Sequence, residues 1–171
     1  MKSRTTEDSN NLETGSESFS KAKAAAFRLL SYRKRSKSEL IERLQKKEFG
    51  KDDIDGTISY LEELNYLDDK DFALSFVMDK VKNKNLGPIA IKNKIKKFNI
   101  DPDIIEESIK AVYKDFPVNE IIPRLIKTRL AKNSSSIIDD KVKVQIINLL
   151  KRKGFYWEDI EKFGRIYKII L

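Results

Sequence analysis

The stretch Ser36-Lys37-Ser38-Glu39-Leu40-Ile41-Glu42-Arg43-Leu44-Gln45-Lys46-Lys47-Glu48-Phe49 carries the pattern that decides the fold. Leu40, Ile41 and Leu44 fall on one face of a short helix, and Phe49 follows after a basic step. The pattern returns twice. Aligning Leu44 with Ile95 and Leu150 sets Phe49 against Ile100 and Phe155, Ile54 against Ile105 and Ile160, and Leu61 against Val112 and Tyr167. Ahead of these anchors stand Leu40, Ile91 and Ile146, and the basic steps are Lys46-Lys47, Lys96-Lys97 and Lys151-Arg152-Lys153. Self-similarity at a near-constant period is the signature of a repeat architecture.

Upstream of each anchor lie apolar or small pairs four residues apart: Ala25-Ala26 with Leu29-Leu30, Phe72-Ala73 with Phe76-Val77, and Ile121-Ile122 with Leu125-Ile126. Pairs so spaced make one helical face, so each repeat reads as three helices. The expected spans are 20–34, 38–48 and 52–65, then 69–83, 88–98 and 102–114, then 118–132, 139–153 and 157–169. Ser36 with Glu39 and Asp68 with Asp71 fit N-terminal capping patterns, and Asp101-Pro102 puts proline at a first helical position behind a capping Asp. The connection between first and second helices lengthens from copy to copy, and the longest includes the loop Asn133-Ser134-Ser135-Ser136.

A three-helix unit of about fifty residues is marginally stable alone, so neighbouring copies should stack. The expected fold is all-α: three tandem three-helix repeats at 19–67, 68–116 and 117–171, in an elongated, curved arrangement behind a disordered tail at 1–18. That tail is rich in Ser, Thr, Asn and Glu, and Leu12 is almost its only large apolar residue.

The chain has 171 residues, no Cys and no His, and a net charge of +8. Lacking both residue types, it cannot build a Cys/His zinc site, a thiol nucleophile or a histidine triad, and no other acid–base pair stands out, so the reading is non-enzymatic with no metal and no cofactor. No stretch resembles a signal sequence or an apolar span of about 18 residues, which points to a cytoplasmic protein off the membrane.

Charge is segregated. The tail carries two basic and four acidic residues, so the remainder is more basic than the whole. Acid-free runs occur at Lys21 to Lys37, at Lys80 to Lys97, over Arg124, Lys127, Arg129 and Lys132, and over Lys141, Lys143, Lys151, Arg152 and Lys153. Helix dipoles explain a base near a helix C-terminus at a few tenths of a kcal/mol. They do not explain whole helices without acids, which a basic surface for an extended anionic partner does.

Three strings, Arg35-Ser36-Lys37-Ser38-Glu39-Leu40-Ile41-Glu42-Arg43-Leu44, Tyr66-Leu67-Asp68-Asp69-Lys70-Asp71-Phe72-Ala73, and Leu86-Gly87-Pro88-Ile89-Ala90-Ile91 leading to Ile100, resemble the RecX family of regulatory proteins. The third copy fits more loosely, through Leu150-Lys151-Arg152-Lys153-Gly154-Phe155 and Glu158-Asp159-Ile160. The resemblance implies a non-enzymatic, monomeric binder of RecA nucleoprotein filaments that blocks recombinase and coprotease activity, restrains ATP hydrolysis and promotes filament loss. It also allows weak direct DNA binding.

Candidate contacts to filament or phosphate are Arg28, Arg33, Lys34, Arg35, Lys46, Lys47, Lys82, Lys84, Lys94, Lys96, Lys97, Arg124, Lys127, Arg129, Lys151, Arg152 and Lys153. Asp68, Asp69 and Asp71 lack the Gly and distal Glu of a calcium loop and read as helix-start residues. Leu86-Gly87-Pro88 lacks the lysine and second glycine of a phosphate loop and reads as a lead into a helix. Trp157 aligns with Lys51 and Pro102, which predicts either an exposed contact or a lid on the last repeat. Two other functions fit the same residues. A plain DNA binder would use basic three-helix units without RecA, and a passive helical scaffold would need none of the basic residues.

Overall fold

The structure, a computed structural model, describes residues 6–132 and 139–170, with 6–16 as backbone only. Among the described residues it is helical without strands: α1 (Thr6–Tyr32), α2 (Lys37–Gln45), α3 (Lys51–Glu63), α4 (Asp69–Lys84), α5 (Pro88–Ile95) continued by a 3-10 turn at Lys96–Phe98, α6 (Pro102–Asp115), α7 (Val118–Leu130), α8 (Asp140–Lys153) and α9 (Trp157–Ile166). The loop expected at Asn133 to Ser136 lies outside the described residues. No helix among the described residues is long and apolar enough to cross a membrane.

One boundary departs from the sequence reading. Residues 6–18, whose composition predicts a disordered tail, are helical and continuous with the rest of α1. The helix is docked at their C-terminal end. The Ser18 hydroxyl donates to Asp53 at 2.5 Å and Phe19 lies against Gly56, while Lys21 pairs with Glu17 within α1 at 2.7 Å. Once a turn is nucleated, each further residue adds one backbone hydrogen bond for one residue ordered, so an apolar-poor segment can extend it.

Contacts gather the described residues into two compact units, one made of those up to Phe72 with Phe98–Ile100, the other of Ala73–Lys97 with those from Asp101 onward. In the first, α1, α2 and α3 pack on one another. Ala26, Leu40, Leu44, Ile54, Ile58, Leu61 and Leu67 form the core, with Leu29, Leu30, Ile41 and Phe49 at its edge. Each fully buried Leu or Ile contributes about 1.5–3 kcal/mol relative to exposure. The Phe72 ring meets Phe98 edge-on at 5.0 Å. In the second unit, α7, α8 and α9 pack on one another and α5 on α6. The repeat columns are again inward: Ile91, Ile95, Ile146, Leu150 and Ile160 are at most 1% exposed.

Two recurring features escape a hydrophobic alignment. Glu48, Asn99 and Gly154 share one column, four residues past the anchors, and all are left-handed, with φ of 64°, 50° and 78°. Each turns the chain after a middle helix so that Phe49, Ile100 or Phe155 points back inward. A second column, Thr57, Ser108 and Phe163, is buried within the third helices.

The middle helices begin against main chain, and the two units do this in the same register. In the first, Ser36 caps α2 by accepting from the Glu39 N–H at 3.2 Å, and its hydroxyl donates to the Phe98 carbonyl at 3.1 Å. In the second, Gly87 N–H at the start of α5 donates to the Lys153 carbonyl at the end of α8 at 2.6 Å, and Ile89 N–H donates to Gly154 O at 3.0 Å. Gly87 aligns with Ser36 and Lys153 with Phe98. Gly87 is thus more than a lead into a helix, because it permits a backbone-to-backbone junction that no side chain would fit.

Candidate functional site

Four candidate cations of the first unit, Arg33, Lys34, Arg35 and Lys46, are engaged with acids. Arg33 Nη2 meets Glu39 Oε1 at 2.5 Å, and Arg35 bonds the same oxygen. The Arg35 side chain is 9% exposed, and its Nε donates to the Leu29 carbonyl at 3.1 Å, so it braces the α1–α2 corner. Glu39 therefore faces these arginines; the Ser36 cap is made by its N–H. Lys34 pairs with Asp71 at 2.6 Å, Lys37 with Glu62 at 2.8 Å and Lys46 with Glu42 at 2.5 Å. Arg28 and Lys47 are exposed with no carboxylate in ion-pair range among the described residues. Exposed pairs contribute roughly 0–1 kcal/mol each, but they cancel charge locally.

The three aspartates ahead of α4 have distinct roles. Asp68 accepts from the N–H groups of Lys70 and Asp71 at 2.7 and 3.3 Å and caps α4. Asp69 accepts from the Lys37 N–H at 2.8 Å, at the first turn of α2. Burial holds its carboxyl above the usual aspartate range, and the bond from Lys37 partly offsets that. Asp71 takes Lys34.

In the second unit the candidate cations other than Lys97 face neutral partners or solvent. Lys82 Nζ lies 5.4 Å from the Phe116 ring centre and Lys151 Nζ 4.9 Å from that of Trp157. Arg124 donates to Asn85 Oδ1 at 2.6 Å, Arg129 to Gln145 Oε1 at 2.5 Å, and Lys153 to the Lys84 carbonyl at 2.5 Å. Lys84, Lys94, Lys96, Lys127 and Arg152 are exposed and have no carboxylate in ion-pair range among the described residues; Lys97 is exposed beside them. Rings and amides orient a cation without neutralising it, so these side chains keep their field. Lys92 differs. It pairs with Glu106, which raises its pKa above the ordinary lysine value. Trp157 is 48% exposed at the first turn of α9, with Lys151 on its face.

One concave surface gathers several of these groups. Arg129 on α7 and Gln145, Asn148, Leu149 and Arg152 on α8 line a groove of about 340 Å³. A second lobe of about 330 Å³ shares Arg129 and Gln145 and adds Lys132, Asp139, Lys141 and Val142. Its one acid, Asp139, accepts from the Val142 N–H at 2.8 Å as the cap of α8. The hydrophobic alignment passes over Gln145 and Asn148. The signal lay in the polar stripe 141, 145, 148, 152, which runs along α8 away from the buried Val142, Ile146 and Leu150.

Known proteins similar to this chain include members of the RecX family. The family models for the first and second three-helix domains of RecX match residues 22–61 and 68–109. The regulatory protein RecX of Syntrophotalea carbinolica is 30% identical over 133 residues, covering 77% of this chain and 86% of that protein. The regulatory protein RecX of Bacillus pumilus is 32% identical over 135 residues, covering 78% of this chain and 50% of that protein, so the chain spans about half the length of the Bacillus relatives it matches. A crystal structure of RecX from Lactobacillus salivarius is similar at a TM-score of 0.75 and 25% identity, over 91% of this chain and 99% of that one. With its three-helix repeats, its buried anchor columns and a relative matched over most of its length, the chain belongs to the RecX family of regulatory proteins.

Proposed function

We propose that this chain binds along a RecA–DNA filament and restrains it, slowing ATP hydrolysis and strand exchange and favouring loss of the filament. Membership of the RecX family is the observation that carries the reading. The distribution of charge supports it, because the cations on α5 and its 3-10 turn, Lys94 and Lys96, stand exposed without carboxylate partners among the described residues. A binder that touches several protomers gains from effective concentration, and it shifts the filament only by its difference in affinity between the filament's states. In this reading the protein acts in the cytoplasm as a monomer, with no cofactor and no catalytic step of its own.

The test is an ATPase and strand-exchange assay with the cognate RecA on single-stranded DNA. Substoichiometric protein should slow both, and reversing Lys94, Lys96 and Lys97 to Glu should relieve the inhibition. Unchanged rates with the wild-type chain would refute the proposal.

A further inference from the structure

We infer that the α7–α8 groove holds phosphodiester groups of a single nucleic-acid strand, independently of any recombinase. The groove is built around Arg129, whose guanidinium is fixed by Gln145 Oε1 at 2.5 Å. An amide oxygen holds the fork in place but leaves its charge and its remaining N–H donors available to an oxyanion. Arg152 lies toward one end of the surface, and Lys132 and Lys141 toward the other. Among the described residues the only lining acid, Asp139, has an oxygen committed to the Val142 N–H. Between Lys132 and Asp139 the sequence has no charged residue.

The shape favours a strand over a lone ion. Lys141, Gln145, Asn148 and Arg152 follow one another along α8, and at 1.5 Å per residue that stripe runs about 16 Å. A strand carries one phosphate per roughly 3.4 Å of axis in a duplex, so several phosphates fit its length. The two lobes are continuous through Arg129 and Gln145 and open to solvent, which lets a polymer enter and leave. Among the described residues no aromatic side chain lines either lobe, so none of them stacks bases there. The contact should therefore track the backbone and be indifferent to sequence.

The test is fluorescence anisotropy of a labelled oligothymidylate with the full chain over a salt series. The variants are Lys141→Gln with Arg152→Gln in the groove, and Lys110→Gln with Lys114→Gln on α6 as a charge-matched control. All four lysine and arginine side chains are exposed, so folding should be retained and is checked by circular dichroism. The groove pair should weaken binding on the order of tenfold at low salt and flatten the slope of log K against log salt by about 1.4, at about 0.7 per lost phosphate contact on a single strand. The control should change neither beyond a small uniform loss. Equal losses in both pairs would mean diffuse attraction and overturn the inference, as would no binding by the wild-type chain. Inorganic phosphate forms a separate arm. If it perturbs Arg129 resonances while the oligonucleotide does not bind, the groove takes free phosphate and the strand assignment is wrong. No recombinase is present, so failure here leaves the filament reading standing, and failure of RecA inhibition leaves the groove standing.

Discussion

Replacing Gly87 by Ala tests the junction between α5 and α8 at its tightest point. A Cβ built on Gly87 would lie 2.3 Å from Gly154 O, 2.5 Å from Gly154 C and 2.5 Å from Phe155 N. All three are main-chain atoms and cannot swing aside as a side chain could. The junction must open, which stretches the bonds from Gly87 N–H to Lys153 O and from Ile89 N–H to Gly154 O, 2.6 and 3.0 Å long. Two backbone hydrogen bonds at about 1 kcal/mol each, with about 1–3 kcal/mol for overpacking, give a loss of about 3–5 kcal/mol. Against a typical domain stability of about 5–15 kcal/mol that is a large fraction. Gly154→Ala should cost at least as much, because its Cβ would sit 2.4 Å from Ala90 N and its φ is +78°. Gly50→Ala is the control. Its Cβ would meet nothing closer than Asp53 Oδ2 at 3.6 Å, so at most about 1 kcal/mol is expected from the change of cap residue. Urea unfolding followed by circular dichroism reads all three. A Gly87→Ala midpoint matching that of Gly50→Ala would show that the backbone contact is not as described.

Three further substitutions bear on the first unit and the repeat columns. Ser36→Ala should cost about 2 kcal/mol, one part for the lost cap on Glu39 N–H and one for the lost bond to the Phe98 carbonyl; a denaturant midpoint within error of wild type would contradict it. Thr57→Val should stabilise by about 1 kcal/mol, because the Thr57 hydroxyl is buried with no hydrogen-bond partner among the described residues and valine keeps its shape; a lower melting temperature would count against that. Glu48→Gly should also stabilise, by about 1 kcal/mol, by relieving a left-handed backbone at φ 64°; a loss of stability in thermal melts would show that the Glu48 side chain has a role of its own.

The anchor columns were legible because a buried helical face repeats every three or four residues, and Leu44, Ile95 and Leu150 advertise it without help from distant contacts. Helix starts at Ser36, Asp68 and Asp101 could be read too, since a cap is a local event. What the pattern hid depends on how the corners and helices fold against one another. Arg35 looks like any base in a basic run, and only the fold shows it beside Glu39 and the Leu29 carbonyl. Arg129 and Arg152 stand out by charge, but Gln145 and Asn148 are unremarkable until α7 lies alongside α8. The left-handed column mixes Glu, Asn and Gly, and only Gly154 announces that conformation by its type. The helical residues 6–18 were missed because composition reports burial, whereas helix extension needs only a docked neighbour.

The joints at Ser36 and Gly87 end on carbonyl oxygens, and every residue of a polypeptide owns one. Acceptors of that kind survive any substitution at Phe98 or Lys153, so what is demanded of heredity is small: a hydroxyl or a bare α-carbon on the donor side. Such a seam lets the outward surface drift to suit a changing partner while helix placement stays put, in keeping with a relative that shares a quarter of its residues yet keeps nearly the whole trace.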